Sequence, residues 1–307
     1  MQVIEGLYSA ALLRVSNPSY KLISDDDLEV FRAFWVLQHL RTEAASRAFA
    51  ALSDEMVDTT GAPEMFRTSV AEAVQVVMST VPETASVVSD LKVCLLHNRS
   101  SVDFFTSDDP AIHTNRWYLR PGHERLGSPG LAKSGAICLI PLTPRHLFLA
   151  YDGDVYSLPI ANHWVHVRSE SDVRLLNQQQ LLTAMANVYF RDIADATSIA
   201  REFDASLARR IPSKHRLNHA ILDSDDGVMR RYRVTTAEEA RRHQDAIVHS
   251  EKLYPRPSGW PDFIRLRADA ATYSNGTGVG YVRRAQAQAS MSRSQPFQKI
   301  RLDSIKF

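Results

Sequence analysis

The sequence predicts an α+β fold: N-terminal helices, a central and mostly antiparallel sheet of about five strands, and C-terminal helices ending in a basic extension. Three observations carry that expectation. Apolar residues from Leu28 to Phe49 recur at three- and four-residue spacing, the period of a helix face. From residue 92 to residue 169 the pattern changes to short apolar runs, joined by connections too short for helical crossovers. After Asn177 the helical period returns. With 307 residues and 44% hydrophobic content, the chain can bury one large core or two modest ones.

The first clear element is "SDDDLEVFRAFWVLQHLRTEAASRAFAAL". Ser24 is a good N-cap, and Asp25, Asp26 and Asp27 complement the positive helix end. Leu28, Phe31, Trp35, Gln38, Thr42, Ala45 and Phe49 form one face; Arg32, His39, Glu43 and Ser46 oppose it, so His39 is expected in water. Gln38 and Arg41 lie on or beside the apolar stripe, where a polar group needs a partner or a cavity. "APEMFRTSVAEAVQVVMST" predicts a second helix opening at Pro63, with Phe66, Val70, Val74 and Val77 on one face and Pro82 ending it. The runs "KVCLLHN", "VDFFTS", "AICLIPL", "HLFLAYDGD" and "WVHVRS" predict a meander of strands. A long loop rich in Gly, Pro and Arg separates Pro110 from Gly135 and is expected to be functional or flexible. Asn177 is expected to cap a helix carrying Leu181, Met185, Val188 and Asp192. Thr236 and Glu239 fit a capping box, "YSNGTGVGYVRR" holds an Asn-Gly hairpin signal, and "RAQAQASMSRSQP" is expected to be mobile. The expected division is an α+β core domain over residues 1–200 and a basic helical region over 201–307.

Composition narrows the function classes. The start "MQVIEGLYSA" lacks the basic and apolar regions of a signal peptide, and no apolar run approaches a membrane span. Cys94 and Cys138 sit in apolar strand-like runs without basic or histidine neighbours, so buried, inert thiols in a reducing cytoplasm are expected. Residues 1–200 hold 16 Lys+Arg against 23 Asp+Glu, and residues 201–307 hold 20 against 12, giving −7 and +8 and the net +1. A basic third beside an acidic body is either a polyanion-binding region or one half of an internal attraction.

The densest polar stretch is "VDFFTSDDPAIHTN", residues 102–115. Asp109 precedes proline, so the chain turns there, and Asp108 stands at a strand end. Adjacent carboxylates suit a divalent metal or acid/base work; the same residues also suit an Asx-type turn with Ser107 and Asp108 accepting backbone N–H bonds. "FTSDDP" (105–110), then "IPLTPRHLFLAY" (140–151), then the Asn-led helix at Asn177, preceded by "FWVLQHLRT" (34–42), resembles the bacterial and phage-borne domain-of-unknown-function family 4238 over roughly residues 1–195. That family carries TSDxP and PL[ST]P motifs in this order and opens with a His-rich, Pro-containing segment, which this N-terminus does not match. The resemblance implies a shared scaffold and candidate positions, with no activity to transfer. It marks Gln38, Arg41, Ser107 and Asp108 as a candidate polar cluster with Arg41 paired to Asp108, either catalytic or a structural tie between helix and sheet.

Three readings of function follow. One is a nucleic-acid-directed effector of metal-dependent nuclease type. Asp108, Arg41, Gln38 and Ser107 would be catalytic there, and Asp108, Asp109 and His113 would ligate a divalent metal. Arg230, Arg231, Arg233, Arg265, Arg267, Arg283 and Arg284, interleaved with aromatic and aliphatic residues, would hold the polymer. Another is a non-catalytic interaction or sensor module with a structural Arg–Asp cluster; an enzyme acting on a small anion beside Arg41 is a third reading. Weaker constellations are His215, His219 and Asp223 at helical spacing, "PE" at 82–83 with "DLK" at 90–92, and "NGTGVG", which lacks the G-x-G-x-x-G spacing. His163 and His166 in "HWVH" would point to opposite faces of a strand. Signatures of serine hydrolases, zincins, zinc ribbons and P-loops are missing from the sequence.

Overall fold

A computed structural model describes residues 2–17, 23–60, 63–123, 126–211, 215–227, 230–289 and 296–305. The α+β class holds: helices come first, a five-stranded sheet follows, and smaller sheets with short helices complete the chain. Helix α1 (Gln2–Ser16) leads to α2 (Asp25–Arg41), whose start obeys its sequence. Ser24 Oγ accepts from the Asp27 N–H and the Asp27 carboxylate accepts from the Ser24 N–H, a capping box. The buried Asp27 also pairs with Arg14 of α1, so one carboxylate caps one helix and ties down another. Leu28, Phe31 and Trp35 are fully buried. The single face expected from Leu28 to Phe49 is broken at Thr42, where the backbone is extended, and α3 (Glu43–Thr60) starts the helix afresh. A 3-10 turn at Glu64–Phe66 replaces the expected helix start at Pro63. Helix α4 (Val70–Ser79) is instead capped by Ser69 and Glu72, and Pro82 sits in the first turn of α5 (Val81–Val88) rather than ending a helix.

Strands β1 (Lys92–Asn98), β2 (Thr106–Ser107), β3 (Ile112–Thr114), β4 (Ile137–Thr143), β5 (His146–Tyr151), β6 (Tyr156–Ser157) and β7 (Trp164–Val167) follow. The main sheet has the order β3-β4-β5-β1-β7, antiparallel except for the parallel pair β1–β7. Alternation sends Leu95, Cys138, Ile140 and Phe148 into a core shared with Leu28, Phe31 and Trp35. Leu96, Leu139, Leu147, Leu149 and Val165 enter a second core, where Ile264 is buried and Leu266, Tyr281, Leu302 and Ile305 pack against it. Both faces are covered, which explains why the strands read as continuous apolar runs.

"VDFFTS" is not a main-sheet strand. Only β2 forms within it, pairing with β8 (Val188–Tyr189), and the fifth place in the sheet goes to β3 from "IHT". The loop between Pro110 and Gly135 buries Asn115, Trp117 and Tyr118. Gly135 has φ +79°, and a Cβ there would stand 2.8 Å from Asn115 Oδ1 and 2.9 Å from Tyr156 Oη, so glycine is required. Helix α6 (Glu170–Thr183) begins at Ser169, not Asn177. Asn177 lies within it, donating to the Asp103 carbonyl (2.8 Å) and accepting from the Phe105 N–H (3.3 Å), a cross-link onto the acidic stretch.

After α7 (Ala196–Ser206) the expected helices give way to strands. β9 (His215–Asp225), β10 (Arg230–Thr235) and β11 (Ile247–Lys252) form a sheet of order β10-β9-β11, and the Thr236 cap starts only α8 (Ala237–Ala240). β12 (Arg265–Leu266) pairs with β6, and β13 (Ala271–Ser274) pairs with β14 (Gln298–Arg301). The Asn-Gly loop does close, through Tyr273 N–H to Val282 O (3.0 Å) and the reciprocal bond (2.8 Å). Part of the segment expected to be mobile forms α9 (Arg284–Ala289); residues 290–295 lie outside the described residues.

Candidate ligand-binding cavity

A cavity of about 410 Å³ opens between α3, β3, the end of α6, the start of β9 and the chain after β11. Helix α3 supplies Ala44, Arg47, Ala48 and Ala51, which share one helical face; the alanines leave the space that longer side chains would fill. Strand β3 supplies Ile112, His113 and Thr114, while Leu182 and Thr183 come from α6. His215, Lys252 and Tyr254 come from beyond residue 200. His39, expected in water, is a wall residue: its ring stacks on Trp35 at 4.7 Å and its Nδ1 lies 3.0 Å from the Ala111 carbonyl.

His113 is the key side chain. It is buried, its Nδ1 lies 2.7 Å from Tyr254 Oη, and its Nε2 has no hydrogen-bond partner. Burial first, then Lys252, His39 and Arg283, hold its pKa well below the ordinary histidine value, so the ring is neutral. Two proton placements satisfy the Tyr254 contact. If Nδ1–H donates to Tyr254, both the tyrosine proton and the Nε2 lone pair go unused. If Tyr254 O–H donates to Nδ1, only the Nε2–H goes unused. The second strands fewer buried polar groups and leaves Nε2 as a buried donor, on a residue that lines the cavity. Arg47, Arg210 and Lys252 line the same cavity together with Asp109, and Arg47 is paired with Glu43 at 2.6 Å. Arg210 also caps the C-terminus of α6, donating to the Leu181 carbonyl (2.5 Å) and to the Ala184 carbonyl.

The remaining sequence-predicted residues divide. Asp108 accepts from the N–H groups of Met185 (2.8 Å), Ala186 (2.8 Å) and Asn187 (2.9 Å). Burial works to raise its pKa, and the amides of Ala186, Met185 and Asn187 outweigh burial, so the carboxyl sits below its usual range. Arg41 does not meet Asp108; it pairs with Glu5 of α1 at 2.6 Å, because its end of α2 packs against α1. Ser107 is buried, donating to Gln180 Oε1 (2.8 Å) and accepting from the Asp109 N–H (3.3 Å). Gln38 is half-buried on α2 and is not part of the cavity wall. Of the proposed metal set, Asp109 and His113 line the cavity and Asp108 does not; among the described residues no three His, Cys, Asp or Glu side chains are placed to hold a metal ion. Asp103 of the same stretch meets two arginines, 3.0 Å from Arg145 and 2.7 Å from Arg191.

The basic stripe is largely paired. Arg230 meets Asp225 (3.0 Å), Arg233 meets Glu239 (2.6 Å), Arg267 meets Asp269 (3.0 Å) and Arg284 meets Asp154 (3.2 Å). Arg265 donates to the Asp262 carbonyl (3.3 Å), and Arg231 is exposed on β10. Arg283 is buried, and its guanidinium pairs with Asp90 at 2.9 Å and donates to the carbonyls of Leu131 and Val87. His215 and His219 lie on a strand rather than a helix, where four residues span roughly 13 Å, too far to share an ion. Sequence reasoning missed His39, Tyr254 and Arg210 as cavity residues. The alanine spacing in "EAASRAFAAL" was the available signal, and it reads equally as an ordinary helix.

Cys94 and Cys138 are free and buried, as expected; burial pushes the Cys138 thiol up to about 12. Among the described residues no helix is long and apolar enough to cross a membrane. No curated protein and no solved structure matches the chain. A family model described as "Protein of unknown function (DUF4238)" matches residues 1–193, a stretch that runs from α1 through β8 and includes the α3, β3 and α6 walls of the cavity. With well over half of its length matched, the chain belongs to the DUF4238 family.

Proposed function

We propose that the chain is a non-catalytic binding module that holds a small organic ligand in the His113 cavity. The observation behind this reading is that His113, which lines a cavity large enough for a compact molecule, has a buried Nε2 without a hydrogen-bond partner, a donor in the tautomer that best satisfies Tyr254. Leaving such a donor unpaired costs about 1–3 kcal/mol, which an acceptor on a ligand recovers. The ligand class is an acceptor-bearing molecule, best a carboxylate: Arg210 and Lys252 favour negative charge, and Ala48, Ala51 and Leu182 favour an apolar body.

The nuclease reading needs carboxylates available to a divalent metal. Asp108 is instead engaged with three backbone amides, and most arginines assigned to nucleic acid are engaged with carboxylates or carbonyls. Those engagements favour the binding module. A cytoplasmic setting belongs to the same proposal and rests on the two free thiols.

Saturation-transfer NMR with acetate and benzoate as probes tests it. Benzoate is expected to bind and acetate to bind more weakly, with His113→Phe reducing benzoate affinity roughly tenfold or more while the fold is kept. Because His113 stays neutral, its contribution is expected to be flat between pH 6 and 8. Equal binding by wild type and His113→Phe, or no binding by either probe, would remove the proposal.

A further inference from the structure

Strands β1 and β7 end alike. "HNRS" (97–100) and "HVRS" (166–169) each place an arginine two residues after a histidine. The strands are parallel and in register, so Leu95 faces Trp164 and His97 faces His166. The bond from Arg99 N–H to the Val167 carbonyl (2.8 Å) carries that register past the histidines, and alternation puts Arg99 and Arg168 on the histidine face. From β5, His146 flanks His97 on its other side. Ring centres lie 5.2 Å apart for His97–His146 and 5.5 Å for His97–His166, and Trp164 is 5.6 Å from His146. His166, Arg99 and Arg168 are exposed; His97, His146 and Trp164 are half-buried.

Charge decides what such a row can take. Arg99 and Arg168 have no carboxylate partner among the described residues. Arg145, at the β4–β5 turn, is held by Asp103 and by the Ser100 carbonyl. The neighbouring carboxylates are engaged: Asp103 by Arg145 and Arg191, Glu170 by Ser101, and Asp25 lies 3.6 Å from His163. Burial, then Arg99, His166 and Arg145, lowers the His97 pKa; burial, then Arg99 and Arg168, lowers that of His166; burial, then His97, takes His146 down to about 4. The rings are therefore neutral N–H donors at pH 7. A metal cation would face two uncompensated arginines, and His146 and His166 stand on opposite sides of His97, roughly 10 Å apart, too far to share an ion. An anion supplies the charge that the patch lacks.

We infer that the carboxyl ends of β1 and β7 form a phosphate-binding site, with Arg99 and Arg168 as its guanidinium clamp and His97 and His166 as further donors. Two guanidinium forks match the oxygens of a phosphate group, and the parallel register sets them side by side. A small phosphomonoester and the backbone of a nucleic acid both present this group; the chemistry is shared, and the site is independent of the His113 cavity. Bound negative charge favours imidazolium, so binding takes up protons and tightens as the pH falls.

Histidine ¹H–¹⁵N NMR on the full chain tests this with inorganic phosphate, with sulfate, whose charge is constant from pH 6 to 8, and with a single-stranded oligonucleotide. Phosphate and sulfate are expected to shift His97 and His166, and sulfate affinity is expected to rise several-fold, up to ~tenfold, from pH 8 to pH 6. The double variant Arg99→Gln, Arg168→Gln is expected to lose affinity ~tenfold or more at unchanged melting temperature, since both side chains are exposed. Oligonucleotide binding at the same resonances, weakened by salt and lost in the double variant, assigns the phosphate to nucleic acid. A response to the small anions alone assigns it to a small ligand. Unmoved histidines with all three probes, or undiminished binding by the double variant, overturns the site.

Discussion

Asp108 shows how a residue chosen for chemistry is spent on structure. Its carboxylate gathers three successive amides just after α6, where a helix end leaves the backbone to reverse. Asp108→Ala is therefore expected to destabilise the fold by about 1–3 kcal/mol, read as a lower midpoint in urea, and to leave benzoate binding nearly intact. The sign with pH follows from its depressed pKa. The unfolded carboxyl takes up a proton first, so Asp108 stabilises the fold above its unfolded value of about 3.9 and loses that contribution as the pH falls below it. The stability difference between the wild type and Asp108→Ala is expected to shrink as the pH falls below about 3.9; a difference that stays constant there would contradict the assignment. Gly135→Ala is expected to cost about 2–3 kcal/mol or more, because the added methyl meets Asn115 and Tyr156 while the backbone stays at positive φ. A melting temperature equal to that of the wild type would show that the turn can relax.

At the scale of elements, the legible parts are those whose local signals agree. "KVCLLHN" forms β1 over its whole length, and Ser24 caps α2 as its sequence demands. The misjudged parts are those where a neighbour in space outweighs a local preference. Thr236 caps a helix, yet only Ala237–Ala240 stay helical because residues 247–252 bond along β9. "VDFFTS" carries an excellent strand pattern, but Asn177 takes the Phe105 N–H and the Asp103 carbonyl that a sheet partner would need. The TSDDP signature was legible as a signature and illegible as a site: Ser107 and Asp108 hold the turn, and Asp109 alone reaches the cavity. The cavity itself joins His113 to Tyr254 across 141 positions, and no local pattern encodes such a meeting.

For the whole molecule, the boundary near residue 200 separates composition more than it separates structure. Ile264 is buried in the second core, Leu266, Tyr281 and Leu302 pack against it, and Arg283 is 3% exposed in its pair with Asp90. A chain ending at residue 200 is expected to lose cooperative unfolding and to bind the apolar dye ANS, since it leaves the second core without Ile264 and the side chains packed beside it, and Asp90 without its guanidinium. A sharp thermal transition in that shorter chain would establish the first 200 residues as self-sufficient.

Arg283 also imposes a schedule. Asp90 and the carbonyls of Val87 and Leu131 are made early in translation, and the side chain that joins them arrives 193 positions after Asp90. At about 5–20 residues per second, the ribosome leaves that junction open for roughly 10–40 seconds. During that interval the nascent family domain is a client for whatever shields unfinished surfaces in the cell.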